Sequence, residues 1–295
     1  LSPTTWPGSC CWSSSTGPLR STRGPVTISR GMRMENCTLM DTAFDPTLVD
    51  GYKSKSQIAR VLTESWTKSH MYCPICGCVA LSKFPNNRAV ADFFCPNCKN
   101  EFEQKSKNGA FGAKIADGAY STFIQRISSN NNPDFFLMSY SLERMRVETM
   151  YFVPKYFFVP EIVEKRKPLM AGAKRAGWVG CNILLNRIPI QGRISIIKDG
   201  AAIDKRVVLA HVKQAQAIQV DNIAERSWLM DVLQCVNRIQ ESIFTLDMVY
   251  SFEKELAKKH PNNHNIRPKI RQQLQQLRDR GVISFLGNGH YQKMI

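Results

Sequence analysis

Asp92, Glu103 and Lys105 are spaced as D-x10-E-x-K within VADFFCPNCKNEFEQKSK, residues 90–107. Two carboxylates can share a hard divalent cation through their oxygens. A lysine two residues beyond the second acid can orient a water and offset negative charge growing on a phosphate. That is the chemistry of a magnesium-dependent phosphodiesterase. The same stretch holds half of a second pattern. Cys73 and Cys76 form one C-x2-C pair, and Cys95 and Cys98 form another eighteen residues on. Two such knuckles supply four thiolates to a tetrahedral zinc, and four thiolates leave no open catalytic position. The zinc is therefore expected to contribute folding energy rather than chemistry.

Alternate side chains along a strand share a face, so Glu103 and Lys105 project together while Phe102 and Gln104 face away. Asp92 precedes the turn held by Cys95 and Cys98, and the clip should bring it opposite Glu103. Asp92, Glu103 and the Gln104 backbone carbonyl then form the expected magnesium ligands, with Lys105 beside them. Solvated strands also alternate Glu and Lys, so the spacing alone is weak. Its place on the cysteine hairpin, next to Val90, Phe93 and Phe94, strengthens it. No G-x-S-x-G elbow is present, and the five histidines accompany no nucleophile.

The elements that must position these groups follow from periodicity. Ile58, Val61, Leu62, Ser65 and Trp66 share a face and predict a helix over residues 56–69. Short strands are expected at 89–94 and 101–105, a helix at 113–127, and strands at 134–140, 149–153 and 193–198, the last closed by an Asp199-Gly200 turn. This is a mixed α/β pattern. Beyond Asn222 the pattern changes. Trp228, Leu229, Val232, Leu233 and Val236 mark an amphipathic helix over 223–239, Thr245 is an expected N-cap for a helix reaching about Lys259, and Ile266, Ile270, Leu274 and Leu277 line a third. A hairpin at 282–293 turns through Gly287-Asn288-Gly289. Three helices and a two-stranded wing describe a winged helix. The expected division is 1–39, 40–221 and 222–295. The first segment is rich in Ser, Thr, Pro and Gly without apolar periodicity, so it is expected to be disordered or to lie outside the natural protein, with Met40 as the start.

The chain has 295 residues and a formal net charge of +16. Positive excess favours polyanionic partners, because each neutralised phosphate releases condensed counterions. Ten cysteines are present, but the six outside the zinc pattern show no paired framework, which points to a reducing cytoplasm. No apolar run reaches membrane-spanning length, and nothing indicates an obligatory protein partner.

Several stretches carry a resemblance: YKSKSQIARVLTESW from Tyr52, YCPICG from Tyr72, NNRAVADFFC from Asn86, FEQKSKNG from Phe102, NNPDFF from Asn131, KRAGWVGCNI from Lys174 and IRQQLQQLRD from Ile270. From about Leu48 to the C-terminus the chain resembles the DpnI family of restriction endonucleases. That resemblance implies a bacterial PD-(D/E)xK nuclease core with an embedded four-cysteine zinc site, followed by a C-terminal winged helix. It implies Mg²⁺ for cleavage, Zn²⁺ for structure, and hydrolysis of double-stranded DNA at GATC when the adenine carries an N6-methyl group. Ala91 stands where the motif name has proline.

On such a substrate the third helix of the winged unit would enter the major groove, where adenine N6 lies. Its outward residues are expected to be Arg267, Lys269, Arg271, Gln272, Gln273, Gln275, Gln276 and Arg278. Arg and Gln suit base edges, and Lys and Arg suit phosphates. Trp178, between two glycines, is the candidate methyl contact in the nuclease unit, with Lys174 and Arg175 clamping the backbone; a core tryptophan is the plainer alternative. Two rivals remain: a non-catalytic reader of methylated DNA, and a structural zinc module of a larger assembly. The intact Asp92, Glu103 and Lys105 speak against both.

Overall fold

The computed structural model describes residues 40–85, 91–129 and 131–294. The disorder expected for 1–39, and the part of the first expected strand at 89–90, lie outside the described residues.

A helix, α1 (Lys55–His70), leads into β1 (Ser82–Lys83), β2 (Phe93–Phe94) and β3 (Glu101–Asn108). Leu62 and Trp66 are buried on its inner face, as its period requires. Next come β4 (Lys114–Ala119) and α2 (Tyr120–Ser128), where the sequence had suggested one helix over 113–127. The first half is instead an edge strand, because its hydrogen-bonding partner, β8 (Gly180–Leu184), lies more than sixty residues away. Local helix periodicity cannot register such a partner.

The central strands are β5 (Asp134–Ser141) and β6 (Arg146–Val153). Seven consecutive residues of β5 are buried, as expected of a strand covered on both faces. With β9 (Ile194–Lys198) and β10 (Ala201–Ala202) they complete a seven-stranded sheet in the order β1-β2-β3-β5-β6-β9-β10. Only β3 and β5 run parallel in it. A parallel neighbour requires a crossover, and β4 with α2 provides it. A second sheet, β4-β8-β7, includes β7 (Val163–Lys165). Phe102, Phe136 and Phe152 stack across β3, β5 and β6, with Phe102 and Phe136 centroids 5.0 Å apart. A helix that periodicity did not flag, α3 (Lys205–Gln216), caps the far end of the sheet, its N-terminus closed by Asp204.

The C-terminal helices are α4 (Ile223–Arg238), α5 (Leu246–Tyr250), α6 (Glu253–Lys259) and α7 (Ile266–Asp279), followed by the wing strands β12 (Ile283–Gly287) and β13 (His290–Lys293). A short β11 (Ile243–Thr245) pairs with β13. Asn222 caps α4 through two backbone N–H groups, and Thr245 caps α5. The single helix expected from Thr245 to Lys259 is two, broken at Ser251 and Phe252. Gln273 is a further correction: expected to face outward, it is fully buried in α7. The whole is a mixed α/β structure with a large sheet and a C-terminal winged helix-turn-helix unit.

Candidate active site and metal centre

The four cysteine sulfurs of the two knuckles lie within 4.8 Å of one another. Cys73 and Cys98 Sγ are 3.6 Å apart, and Cys76 and Cys95 Sγ are 3.5 Å apart. These are far beyond a disulfide bond. They are close to the roughly 3.8 Å edge of a tetrahedron whose centre is a zinc about 2.3 Å from each sulfur. N–H groups point at the sulfurs as thiolates require: Asn100 Nδ2 donates to Cys98 Sγ at 3.2 Å, Asn97 Nδ2 to Cys76 Sγ at 3.5 Å, and the Cys98 amide to Cys95 Sγ at 3.5 Å. Burial works against the Cys76 anion, but the Cys78 backbone amide, Asn97 and the Cys95 and Cys98 thiols bring its thiol down to about 6. The cluster can hold a metal such as zinc. Cys78, outside the four-cysteine set, donates its thiol to the Ala80 carbonyl.

The knuckle closes the turn between β2 and β3. Phe93 pairs with Phe102, and Phe94 with Glu101. Continued by one residue, that register sets Asp92 opposite Glu103. Asp92 Oδ2 accepts the Gln104 N–H at 2.8 Å, tying the first acid to the strand of the second. Burial pushes the Asp92 carboxyl up, the Gln104 amide pulls it back, and Glu64 on α1 pushes it up again. Glu64 itself pairs with Lys83 at 2.6 Å.

Glu103 bonds Lys105 Nζ at 2.6 Å and Arg126 at 3.1 Å. Its carboxyl is raised by burial and by Asp117, against the pull of Lys105. Burial opposes the Lys105 charge too, yet Glu103 and Asp117 outweigh it and hold the ammonium above the ordinary lysine range. Asp117 was not foreseen. Its carboxylate pairs directly with Lys105, its side chain is 2% exposed, and its Oδ2 is buried without a hydrogen-bond partner among the described residues. Its strand, β4, lies within the helix expected over residues 113–127.

Asp92, Glu103 and Lys105 thus share one end of the β2–β3 hairpin. Among the described residues, no three carboxylates bring ligand oxygens within the span the cysteines keep. Glu103 is turned to Lys105 and Arg126, and Asp92 to a backbone amide. Two part-buried carboxylates and a backbone carbonyl on one hairpin are a donor set that suits a hard divalent cation.

The residues expected to hold DNA fall in two places. Lys174 and Arg175 are exposed on the loop between β7 and β8. Trp178 is half-buried: the Arg175 guanidinium lies 4.6 Å from its ring centroid, and its ring crosses Gly180 so closely that a Cβ there would meet it at 2.8 Å. It is neither a core tryptophan nor a free one. On α7, Arg267, Arg271, Gln272, Gln275 and Arg278 are exposed, and Lys269 is half-buried. Arg271 donates to the Tyr250 hydroxyl at 2.8 Å, Arg267 pairs with Glu253 at 2.8 Å, and Arg278 with neighbouring Asp279 at 2.8 Å.

Among the described residues no helix is long and apolar enough to cross a membrane. Comparison with known families returned two matches: the DpnI (Dam-replacing) family over residues 40–221 and a Dam-replacing HTH domain over residues 224–293. The first spans more than half of the chain and describes methyl-dependent restriction enzymes, and the second supplies the DNA-binding unit. With a knuckle-closed hairpin carrying two acids and a lysine, the chain belongs to the DpnI family of restriction endonucleases.

Proposed function

We propose that this protein is a Mg²⁺-dependent type II endonuclease that hydrolyses phosphodiester bonds of double-stranded DNA at GATC sites carrying N6-methyladenine. The proposed division of labour is a PD-(D/E)xK nuclease domain over 40–221 and a winged helix over 222–295. The observation that carries the reading is the joining of Asp92 to the Glu103–Lys105 strand through Gln104, at a turn closed by four convergent sulfurs. Family membership supports the DNA substrate and its methyl dependence.

Asp92, Glu103 and the Gln104 carbonyl are the proposed holders of Mg²⁺. Bound there, the ion would polarise the scissile phosphate and acidify an attacking water. Lys105, charged and fixed, orients that water and offsets charge gathering on the phosphate. Arg126 adds a second cation beside Glu103. The four-cysteine zinc takes no part in the reaction and keeps the hairpin closed. Lys174, Arg175 and the exposed arginines of α7 contact the sugar-phosphate backbone. Gln272 and Gln275 read base edges, and Trp178 lies against the methyl-bearing face.

Plasmid from an adenine-methylating host and its unmethylated twin, incubated with Mg²⁺ or EDTA, test the whole reading with wild type and Asp92→Ala. Cutting of the methylated plasmid alone, lost in EDTA and in the variant, is expected. Retarded but uncut methylated DNA would replace the enzyme with a reader. Cutting of both plasmids would remove the methyl requirement.

A further inference from the structure

Lys105 is held by two carboxylates, only one of which the proposed metal site also needs. Glu103 lies two residues away on its own strand. Asp117 reaches it from β4, on the second sheet. Asp117 is itself fixed from three sides. Its Oδ1 accepts the Gly118 N–H at 2.6 Å, its strand pairs with β8 at Cys181, and Cys181 Sγ donates to the Gly118 carbonyl at 3.5 Å. The carboxylate cannot follow a solvated partner outward, because its side chain is 2% exposed. A buried anion in such a place costs free energy unless it is paired, and Lys105 is the cation it pairs with.

We infer that Asp117 is a positioning residue for the catalytic lysine, supplied by the crossover between β3 and β5. The inference rests on the nuclease reading above. Glu103 is shared among the lysine, Arg126 and the proposed metal, whereas Lys105 is the one cation paired with Asp117 among the described residues. Asp117 therefore keeps the Lys105 ammonium in place when Glu103 is engaged elsewhere. A lysine side chain has four rotatable bonds, and an ammonium misplaced by about 1 Å can cost on the order of 100-fold in rate. The crossover thus serves two ends. It makes β3 and β5 parallel neighbours, and it delivers an acid to the nuclease hairpin from the opposite direction.

The test uses the full chain with Asp117→Asn, Asp117→Glu and Lys105→Met. In zinc-loaded, Mg²⁺-free, ¹⁵N-labelled protein, the Lys105 ammonium is identified by its loss in Lys105→Met. It should give a slowly exchanging signal in wild type and in Asp117→Glu but not in Asp117→Asn. Single-turnover cleavage of a methylated duplex should fall by about 10- to 100-fold in Asp117→Asn and recover in part in Asp117→Glu. Affinity for the same duplex in Ca²⁺ should stay within about threefold, since the lost contact does not touch DNA. An unchanged ammonium signal, or cleavage by Asp117→Asn within about threefold of wild type, overturns the inference. Should Asp117→Asn fail to fold, the wild-type signal decides, because an ammonium in fast exchange with water is not held. If Lys105→Met cuts DNA normally, the nuclease reading of this site falls, while the wild-type signal without Mg²⁺ still reports on Asp117.

Discussion

Single side chains in this protein carry opposing demands, and Asp134 shows how sharply. It begins β5, is 3% exposed, and accepts the Lys155 N–H at 2.8 Å. Burial pushes its carboxyl up to about 6, against the pull of that amide and of the Lys155 charge. The folded value lies above the ordinary 3.8, so the folded protein binds more protons than the unfolded chain between the two. The stabilising contribution is complete below about pH 4 and is lost as pH rises through about 6. Asp134→Asn keeps the acceptor for Lys155 and removes the charge. Denaturant unfolding of both proteins should show the variant gaining on wild type from pH 4.5 to 7, by on the order of 1–3 kcal/mol. Parallel curves would mean that the carboxyl is ionised at no cost. Asp117 is the contrasting case, a buried acid whose cation is at hand. The juxtaposition of Asp92 with the Glu103–Lys105 strand was readable because the spacing lies within one hairpin, where register follows from the turn. Asp117 was not, because its contact with Lys105 is made by folding a different strand of a different sheet onto the site.

At the scale of elements, the β2–β3 hairpin depends on its metal-binding turn more than on its own pairing. β2 contributes two residues, too few for a strand to persist without further anchorage. The sulfurs supply the anchor. Metal analysis should find one zinc per chain, and Cys95→Ser should lose it. That variant should show a large fall in thermal stability, since structural zinc binding acts as folding free energy. It should also lose cleavage at saturating Mg²⁺, although Asp92, Glu103 and Lys105 are all present. A zinc-free variant that cuts at the wild-type rate would separate the knuckle from the chemistry. Elements of this kind, closed by local turns and caps, are the ones the sequence made legible: α1, β3, β5, α4 and the wing. Those defined by distant partners were not. Residues 114–119 look helical because Lys, Ile and Ala run into the true amphipathic period of α2, and only the ladder to β8 makes them a strand. Gln273 looked like a groove residue because its type is polar, yet its position on α7 follows the buried stripe of Ile270, Leu274 and Leu277.

Taken whole, the molecule ties the part before Asn222 to its winged helix through side-chain hydrogen bonds. Gln191 and Asn237 exchange two hydrogen bonds, at 3.1 and 2.9 Å, and Gln234 Nε2 donates to the Arg187 carbonyl at 2.6 Å. Arg226, buried at the start of α4, donates to the carbonyls of Val220 and Asp221 and so fixes the entry into the winged helix. A basic helix held in this way should add its phosphate contacts to those of the nuclease loop rather than bind on its own. The net charge of +16 then has a measurable form. Each neutralised phosphate steepens the fall of log affinity with log salt by about 0.9, so binding of a methylated duplex in EDTA should show a slope steeper than about −4. Arg271, exposed and steadied by the Tyr250 hydroxyl, is proposed to meet phosphate. Arg271→Ala should therefore make the slope shallower by about 1 and weaken methylated and unmethylated duplexes alike. Gln272→Ala and Gln275→Ala, on the same face but uncharged, should leave the slope intact and narrow the preference between the two duplexes. If all three variants change the slope equally, α7 binds by charge alone and the base-reading role assigned to its glutamines is wrong. If none does, the winged helix does not lie on DNA in the groove-bound pose, and the basic loop of residues 165–178 must carry the backbone contacts.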